Sequence, residues 1–462
     1  MTIHAIILFH RDLRTIDNDL VELCVGLPGE VLPLFIFDSR QVSSSNEYLS
    51  SNSIQFMIES LLDLKNDIPL RFAHGITHEV LQKIFKENSS IRFVYSHSDI
   101  TPFAQERDAA CREICEKAGV KWVQSNKEFL NQKPVLKPDG TPYVVFTYFY
   151  KKFLEENPIP KPTTDVPKVK WASVSTRKTH SWEYTQDICE FVPKWNERLL
   201  HHGGRTGVLK RWKQMIQDVK NYPESHDRPA ESTTELSAAL KFGVLSAREA
   251  VWWLRRDLSK NAAEQIVRQI LFREFYFQVI QHFPMILSKQ VAFDKKWEEF
   301  PTKYNENYWK AWIEGRTGIP IIDAGMRQML TTGFMHNRVR MLSASVLFKD
   351  MGIDWREGEK FFAQMLYDYD PSQNNQGWQS TCGMGASALP YFRVMNPWVQ
   401  QEKFDPEAKY IKTWIPELRD YNAKEIHEWK GAKNCDYPAP VLNHSEQAKL
   451  FLQKAKEYLS KQ

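Results

Sequence analysis

Ala5-Ile-Ile-Leu-Phe9 and Val31-Leu-Pro-Leu-Phe-Ile-Phe37 are short, unbroken apolar runs. Runs of this length read as buried strands. Working outward, Arg71-Phe-Ala73, Arg92-Phe-Val-Tyr95 and Lys121-Trp-Val123 read as three more. Between them, Ile54–Leu64, His78–Glu87 and Glu106–Ala118 carry apolar residues at helical spacing. Strand and helix in alternation predict an α/β domain over residues 1–130, a doubly wound parallel sheet of Rossmann-like form. No G-x-G-x-x-G follows the first strand, so the usual dinucleotide-gripping turn is missing.

Residues 131–195 break the alternation. Asn157-Pro-Ile-Pro-Lys-Pro-Thr-Thr-Asp-Val-Pro167 is proline-rich and polar, which predicts an extended interdomain linker. From 196 to 462 the pattern is helical, clearest at Val208–Val219, Ser246–Leu258, Ala262–His282, Pro320–Thr331, Val339–Asp350 and Trp355–Tyr367. The expected fold class is α/β followed by an all-α domain.

Composition narrows the function classes. The chain has 462 residues, 42% hydrophobic and 26% charged, which excludes wholesale disorder. A net charge of +4 is too mild to diagnose a nucleic-acid binder. No apolar run approaches the roughly 20 residues of a membrane span, and Ala5–Phe9 is too short for a signal peptide. The six cysteines form no C-x-x-C pair, so zinc-ribbon and iron–sulfur spacings are absent and no metal site is expected. An intracellular, reduced protein is expected, with cytoplasm and nucleus not distinguished. The 15 Trp, 17 Tyr and 27 Phe suit a core, a large planar ligand or an electron-transfer chain.

Three segments carry chemistry. Tyr367-Asp-Tyr-Asp-Pro-Ser-Gln-Asn-Asn-Gln-Gly-Trp-Gln379 is too polar to continue an amphipathic helix, and its bland reading is a surface loop. Gly333-Phe-Met-His-Asn-Arg-Val-Arg-Met341 opens a helix with two arginines at i and i+2, which suits an anion or ion pairs with Asp368 and Asp370. Ser232-Thr-Thr-Glu-Leu-Ser237, ahead of Phe242-Gly-Val-Leu-Ser246, offers hydroxyls to a pyrophosphate or to a helix cap.

In this order and spacing the segments resemble the photolyase/cryptochrome family of flavoproteins, most closely the class I-like cyclobutane pyrimidine dimer photolyases. Leu8-Phe-His-Arg-Asp-Leu-Arg14, Phe272-Arg-Glu-Phe275, His336-Asn-Arg338, Ile353-Asp-Trp-Arg-Glu-Gly-Glu359, Asn374-Asn-Gln-Gly-Trp378 and Pro390-Tyr-Phe-Arg393 extend the likeness over nearly the whole chain. The resemblance implies an α/β antenna domain and a helical domain holding FAD. Tyr222, Thr233, Thr234, Leu236 and Ser237 match its flavin diphosphate segment, and Arg273 and Asn337 match flavin-lining positions. Arg340 and Asp368 match an ion pair beside the isoalloxazine. Asp370 matches a ribityl or ring contact, and Asn374 the residue facing flavin N5. Trp378 and Trp355 match the first two members of a tryptophan chain that photoreduces the flavin. The third falls on Thr302, with Tyr304, Trp309 and Trp297 as nearby substitutes.

The lesion pocket departs from the family. Gln269 stands where dimer-splitting relatives have Glu, Phe272 where they have Trp, Ser380 at a second Trp position and His226 at an Arg position, while Arg338 and Met341 are kept. With Arg393, Lys403 and the basic run Lys210-Arg-Trp-Lys213, these residues form the expected DNA-facing rim. The resemblance implies a monomeric enzyme acting on UV-damaged DNA. Reduced FAD would transfer an electron to a flipped cyclobutane dimer, with Asn374, Trp378, Trp355, Gln269 and Phe272 as its catalytic set. A cryptochrome-type blue-light receptor is the alternative, as is an altered preference for (6-4) or single-stranded substrates. An antenna chromophore of folate or deazaflavin type is a further expectation of the family.

Overall fold

Five strands, β1 (Ile3–Phe9), β2 (Glu30–Phe37), β3 (Arg71–His74), β4 (Phe93–His97) and β5 (Lys121–Ser125), pair in the order β3-β2-β1-β4-β5, every pair parallel. They coincide with the five apolar runs. Pro33 sits in the interior strand β2, where a missing N–H is normally costly. The short β3 pairs with β2 only from Leu34 onward, so Pro33 lies beyond its reach. Because the chain crosses over between β3 and β4, the order reverses at β1, and the loops after β1 and β4 diverge there. Helices α1 (Ser51–Asp67), α2 (Thr77–Glu87) and α3 (Pro102–Lys117) cover the sheet. Ile6, Leu8, Leu34 and Val94 form a core with Val80, Leu81 and Ile84 of α2 and Cys111 and Cys115 of α3.

The computed structural model describes residues 2–130, 132–172 and 180–461, and the chain divides into two units. One comprises Met1–Trp195, His201–Gln217 and Glu235–Pro284; the other comprises Asn196–Leu200, Asp218–Thr234 and Met285–Gln462.

The first unit also holds α4 (Phe146–Glu156), α5 (Arg205–Asp218), α6 (Ala247–Asp257) and the long α7 (Lys260–His282). Helix α4 lies within the stretch 131–195 and ends just before the proline-rich run Asn157–Pro167. Phe146, Phe149 and Phe153 are buried at i, i+3 and i+7, a helical stripe that the prolines just downstream obscured. Asn131 and residues 173–179 of that stretch lie outside the described residues. Helix α6 opens on a capping box, Ser246 and Glu249 each satisfying the other's backbone N–H.

The second unit is helical, with α8 (Glu306–Ile313), α9 (Pro320–Thr332), α10 (Asn337–Ser345), α11 (Trp355–Met365), α12 (Pro371–Cys382), α13 (Pro397–Phe404) and α14 (His444–Leu459). Its core gathers Trp312, Met326, Val339, Leu347, Phe362 and Trp378. Helix α9 stops at Gly333, whose φ of 68° is the left-handed conformation that glycine adopts without a Cβ clash. The stretch read as one helix over Val339–Asp350 is α10 continued by a π-helical turn, Val346–Asp350.

The stretch 367–379 is not a surface loop. Pro371 opens α12, and Asp370 caps it by accepting from the N–H groups of Ser372 and Gln373. Its inward face is polar, with Asn375, Gln376 and Gln379 all fully buried. No helix among the described residues is long and apolar enough to cross a membrane.

Candidate functional site

In the second unit, α10, α12 and the segment before α12 bring the charged motifs together. Arg340 donates to both oxygens of Asp368 at 3.1 and 2.9 Å and through Nε to the Met335 carbonyl at 2.7 Å. The guanidinium is thereby fixed at both ends, and Asp368 is neutralised where it is nearly buried. His336 caps α10, its Nδ1 accepting the Arg338 N–H at 3.2 Å. Burial, with Arg340 and Arg338 nearby, drags its pKa down to about 4 against the pull of Asp227, so the ring is neutral.

Asn374 donates to the Glu359 carbonyl at 2.9 Å and to the Glu359 carboxylate at 2.8 Å. Both acceptors demand N–H, which fixes the amide orientation and leaves its oxygen as the group offered elsewhere. Along α12, Ser372 Oγ, Asn375 Nδ2 and Trp378 Nε1 are buried without a hydrogen-bond partner in the protein. Spaced at i, i+3 and i+6 on one side of the helix, they are a set of polar groups for a ligand to complete.

Trp378 also begins a run of touching rings. Its centroid lies 6.1 Å from Trp312 and 5.0 Å from Phe362. Trp312 stacks on Trp309 at 5.7 Å, and Trp309 lies 6.3 Å from Tyr304, which is 57% exposed. Trp355 is buried, and among the described residues its ring meets the Arg356 guanidinium but no other ring. Thr302 is exposed, and Trp297 packs against Phe300 and Tyr391.

The remaining expected residues of this unit lie as follows. Tyr222 is buried and stacks on His226 at 5.2 Å. Thr233 and Thr234 are half-buried, and Asn337 is exposed with Nδ2 3.7 Å from Met341 Sδ. Arg338 pairs with Asp227 at 2.5 Å. Ser380 is half-buried, whereas Arg393 and Lys403 are exposed.

In the first unit, Gln269, Phe272, Arg273 and Tyr276 share one side of α7 by their i, i+3, i+4 and i+7 spacing. Arg273 donates to the Leu240 carbonyl at 3.0 Å and to Glu274 at 3.2 Å, with its guanidinium 4.5 Å over the Phe277 ring. It ties α7 to the short helix Ser237–Lys241, whose first residue is exposed and whose preceding Leu236 is buried. Phe272 stacks on Phe146 of α4 at 4.1 Å, and Gln269 is exposed. In α5, Trp212 is buried while Lys210 and Lys213 are exposed, as on a solvated helix face.

Beyond the C-terminal ends of β4 and β5 the first unit has a cavity of about 360 Å³. Asp99, Gln105, Asp108, Gln124, Phe129 and Phe277 are among its lining residues. Beside it, His97 is clamped between Asp12 and Asp19, each at 2.8 Å. Burial would lower its pKa, but Asp12, Glu128 and the two hydrogen bonds prevail and raise it to about 10. Arg14 in turn pairs with Glu128.

Sequence reasoning missed Asp227, Glu359, Trp312 and this cavity. Glu359 sits in a motif that was singled out, but nothing in the sequence marks which residue an acid will face.

A family model described as the FAD binding domain of DNA photolyase matches residues 266–457, and one described as DNA photolyase matches residues 5–168. The chain is 33% identical to the deoxyribodipyrimidine photo-lyase of Escherichia coli, over 96% of this chain and 97% of that protein. Among solved structures it is similar to an archaeal photolyase from Sulfolobus tokodaii with two FAD molecules, with a TM-score of 0.86, 32% identity, and 98% and 100% of the two chains covered. The cryptochrome of Synechocystis shares the fold, with a TM-score of 0.86 at 24% identity over 97% of this chain and 98% of that one.

Proposed function

The chain belongs to the DNA photolyase family, and on that premise we propose that it is a deoxyribodipyrimidine photo-lyase that repairs cyclobutane pyrimidine dimers in UV-damaged DNA with light and FAD. The observation that carries this reading is α12, where Asn374 is locked by Glu359 and a row of buried, unbonded side-chain polar groups runs along the same helix. That donor set fits a flavin, which presents ring nitrogens and carbonyls along one edge. When bound, reduced and lit, FAD supplies an electron that opens the cyclobutane ring and then returns.

The protein's own part is to hold and to position. Tyr222, Thr233, Thr234, Leu236 and Ser237 would take the diphosphate segment, with Arg273, Asn337 and Asp370 lining the flavin. The Arg340–Asp368 pair brings charge to the ring without adding a net ion. Asn374 offers a neutral acceptor. Gln269 and Phe272 would meet the flipped dimer, the amide at base edges and the ring at a base face, a stack of about 1–3 kcal/mol. His226, Arg338, Met341, Ser380, Arg393 and Lys403 would form the rim, the cations among them taking flanking phosphates. No side chain here needs to supply a proton, in keeping with a neutral glutamine at position 269.

The relative from Sulfolobus tokodaii is described with two FAD molecules. We assign a second, light-gathering chromophore of folate, deazaflavin or flavin type to the cavity beside Phe129 and Phe277. Its amides suit the edges of a heteroaromatic ring and its phenyl groups suit the face.

Light-dependent repair of a single-dimer oligonucleotide by the reduced protein tests the reading. No repair, with equal affinity for the dimer duplex and its undamaged twin, would favour a blue-light receptor instead.

A further inference from the structure

Arg338 is not a free cation. Its Nη2 lies 2.5 Å from Asp227, its guanidinium stands 4.7 Å over the Phe404 ring, and its Nε–H is buried without an acceptor. The same carboxylate has His226 Nε2 at 3.8 Å, and Lys403 also lies over the Phe404 ring, at 5.0 Å. One acid therefore sits among the cations of the expected rim, and the Arg338 and Asp227 side chains are 19% and 33% exposed.

We propose that Asp227 sets the preference for damaged over intact DNA by cancelling the charge of Arg338 until a phosphate is brought directly against it. An ion-paired guanidinium exerts little pull on a phosphate several ångströms away, because the two charges offset each other at that range. At contact the balance changes. Guanidinium has five donors and meets Asp227 through Nη2, so the solvent-facing donors of this partly exposed group can take a phosphate oxygen while the pair persists. Only a backbone drawn down onto the rim, as when a dinucleotide leaves the stack, reaches that position. An intact duplex that glides past meets a neutralised patch. Asp227 is thus a positioning residue acting through Arg338, and it weakens sequence-independent binding more than lesion binding. The idea rests on the reading of Arg338 as DNA-facing.

The test is a binding titration of holoprotein with a single-dimer duplex and its undamaged twin at several salt concentrations. It compares wild type, D227N, D227E, R338A and R338A/D227N, each checked for flavin content. D227N should bind the undamaged duplex about threefold to tenfold tighter, with a salt slope steeper by about 0.9, one added phosphate contact. Its dimer affinity should change by less than about twofold, so that discrimination falls. D227E should keep the wild-type ratio, and D227N should add nothing on the R338A background. If R338A weakens binding but D227N leaves the undamaged affinity and salt slope unchanged, the role of Asp227 is overturned. If R338A itself changes nothing, the DNA-facing reading of Arg338 fails and the proposal falls with it.

Discussion

The indole of Trp312 stands 6.1 Å from that of Trp378 at an interplanar angle of 66°, and it is fully buried. Through Trp309 this contact leads on to the exposed ring of Tyr304. Electrons move between aromatic side chains most readily when the rings touch. The protein therefore has a ring path from its interior to solvent that does not need an aromatic residue at position 302. Trp378→Phe should abolish photoreduction of the flavin, and Trp312→Phe should slow it at least as much as Trp355→Phe does. Flash photolysis should also detect a tyrosyl radical that Tyr304→Phe removes. Photoreduction at the wild-type rate in Trp312→Phe would rule this path out.

Removing the Arg340 side chain leaves Asp368 charged and nearly buried. Breaking a buried pair costs about 3–5 kcal/mol, and the partial exposure of Arg340 brings the expectation to roughly 2–3 kcal/mol. Urea unfolding of Arg340→Ala should show a lower midpoint with an unchanged slope. A midpoint equal to that of wild type would mean that the Arg340–Asp368 pair adds no net stability.

His97 should impose an alkaline limit on stability. Its pKa rises from 6.5 to about 10 in the folded state, so its contribution is complete below pH 6.5 and is lost as pH climbs toward 10. Asp19, pulled down to about 2 against burial by its bonds to His97 and Ser125, works in the opposite sense and weakens only in acid. Thermal unfolding from pH 6 to 10 should show a decline that His97→Gln flattens. An identical decline in the variant would assign it to other groups.

Gln269→Ala should weaken dimer binding by roughly 1–3 kcal/mol while flavin content stays the same. The side chain is exposed on α7, so its loss should not unsettle the helix. Equal titration curves for variant and wild type would remove Gln269 from the lesion contact.

The sheet was legible because buried parallel strands write themselves as apolar runs, and Ala5–Phe9 and Val31–Phe37 needed no partner to be recognised. Helix α12 was not, because periodicity reasoning seeks apolar faces, whereas Asn375, Gln376 and Gln379 make this buried face polar. The motifs pointed to Arg340 and Asp368, and these two do pair. Asp227 and Glu359 stayed silent, since a lone acid in a sequence carries no sign of the distant residue it will meet. Trp312 carries no mark in the sequence, and only its distance to Trp378 separates a packing indole from a link in a path.

The interleaving of the two units bears on how the protein is made. Asn196–Leu200 and Asp218–Thr234 belong to the second unit, yet they leave the ribosome before Glu235–Pro284 has completed the first. At about 5–20 residues per second, the later of these strips waits roughly ten to fifty seconds for the rest of its own body. During that wait Val219 and Tyr222, which end up buried, are open to nascent-chain binders such as holdase chaperones. Translation speed beyond Thr234 therefore governs how long the young chain stays sticky. Nor can either body be produced alone by choosing one start or stop codon, because any single break between residues 201 and 284 divides both.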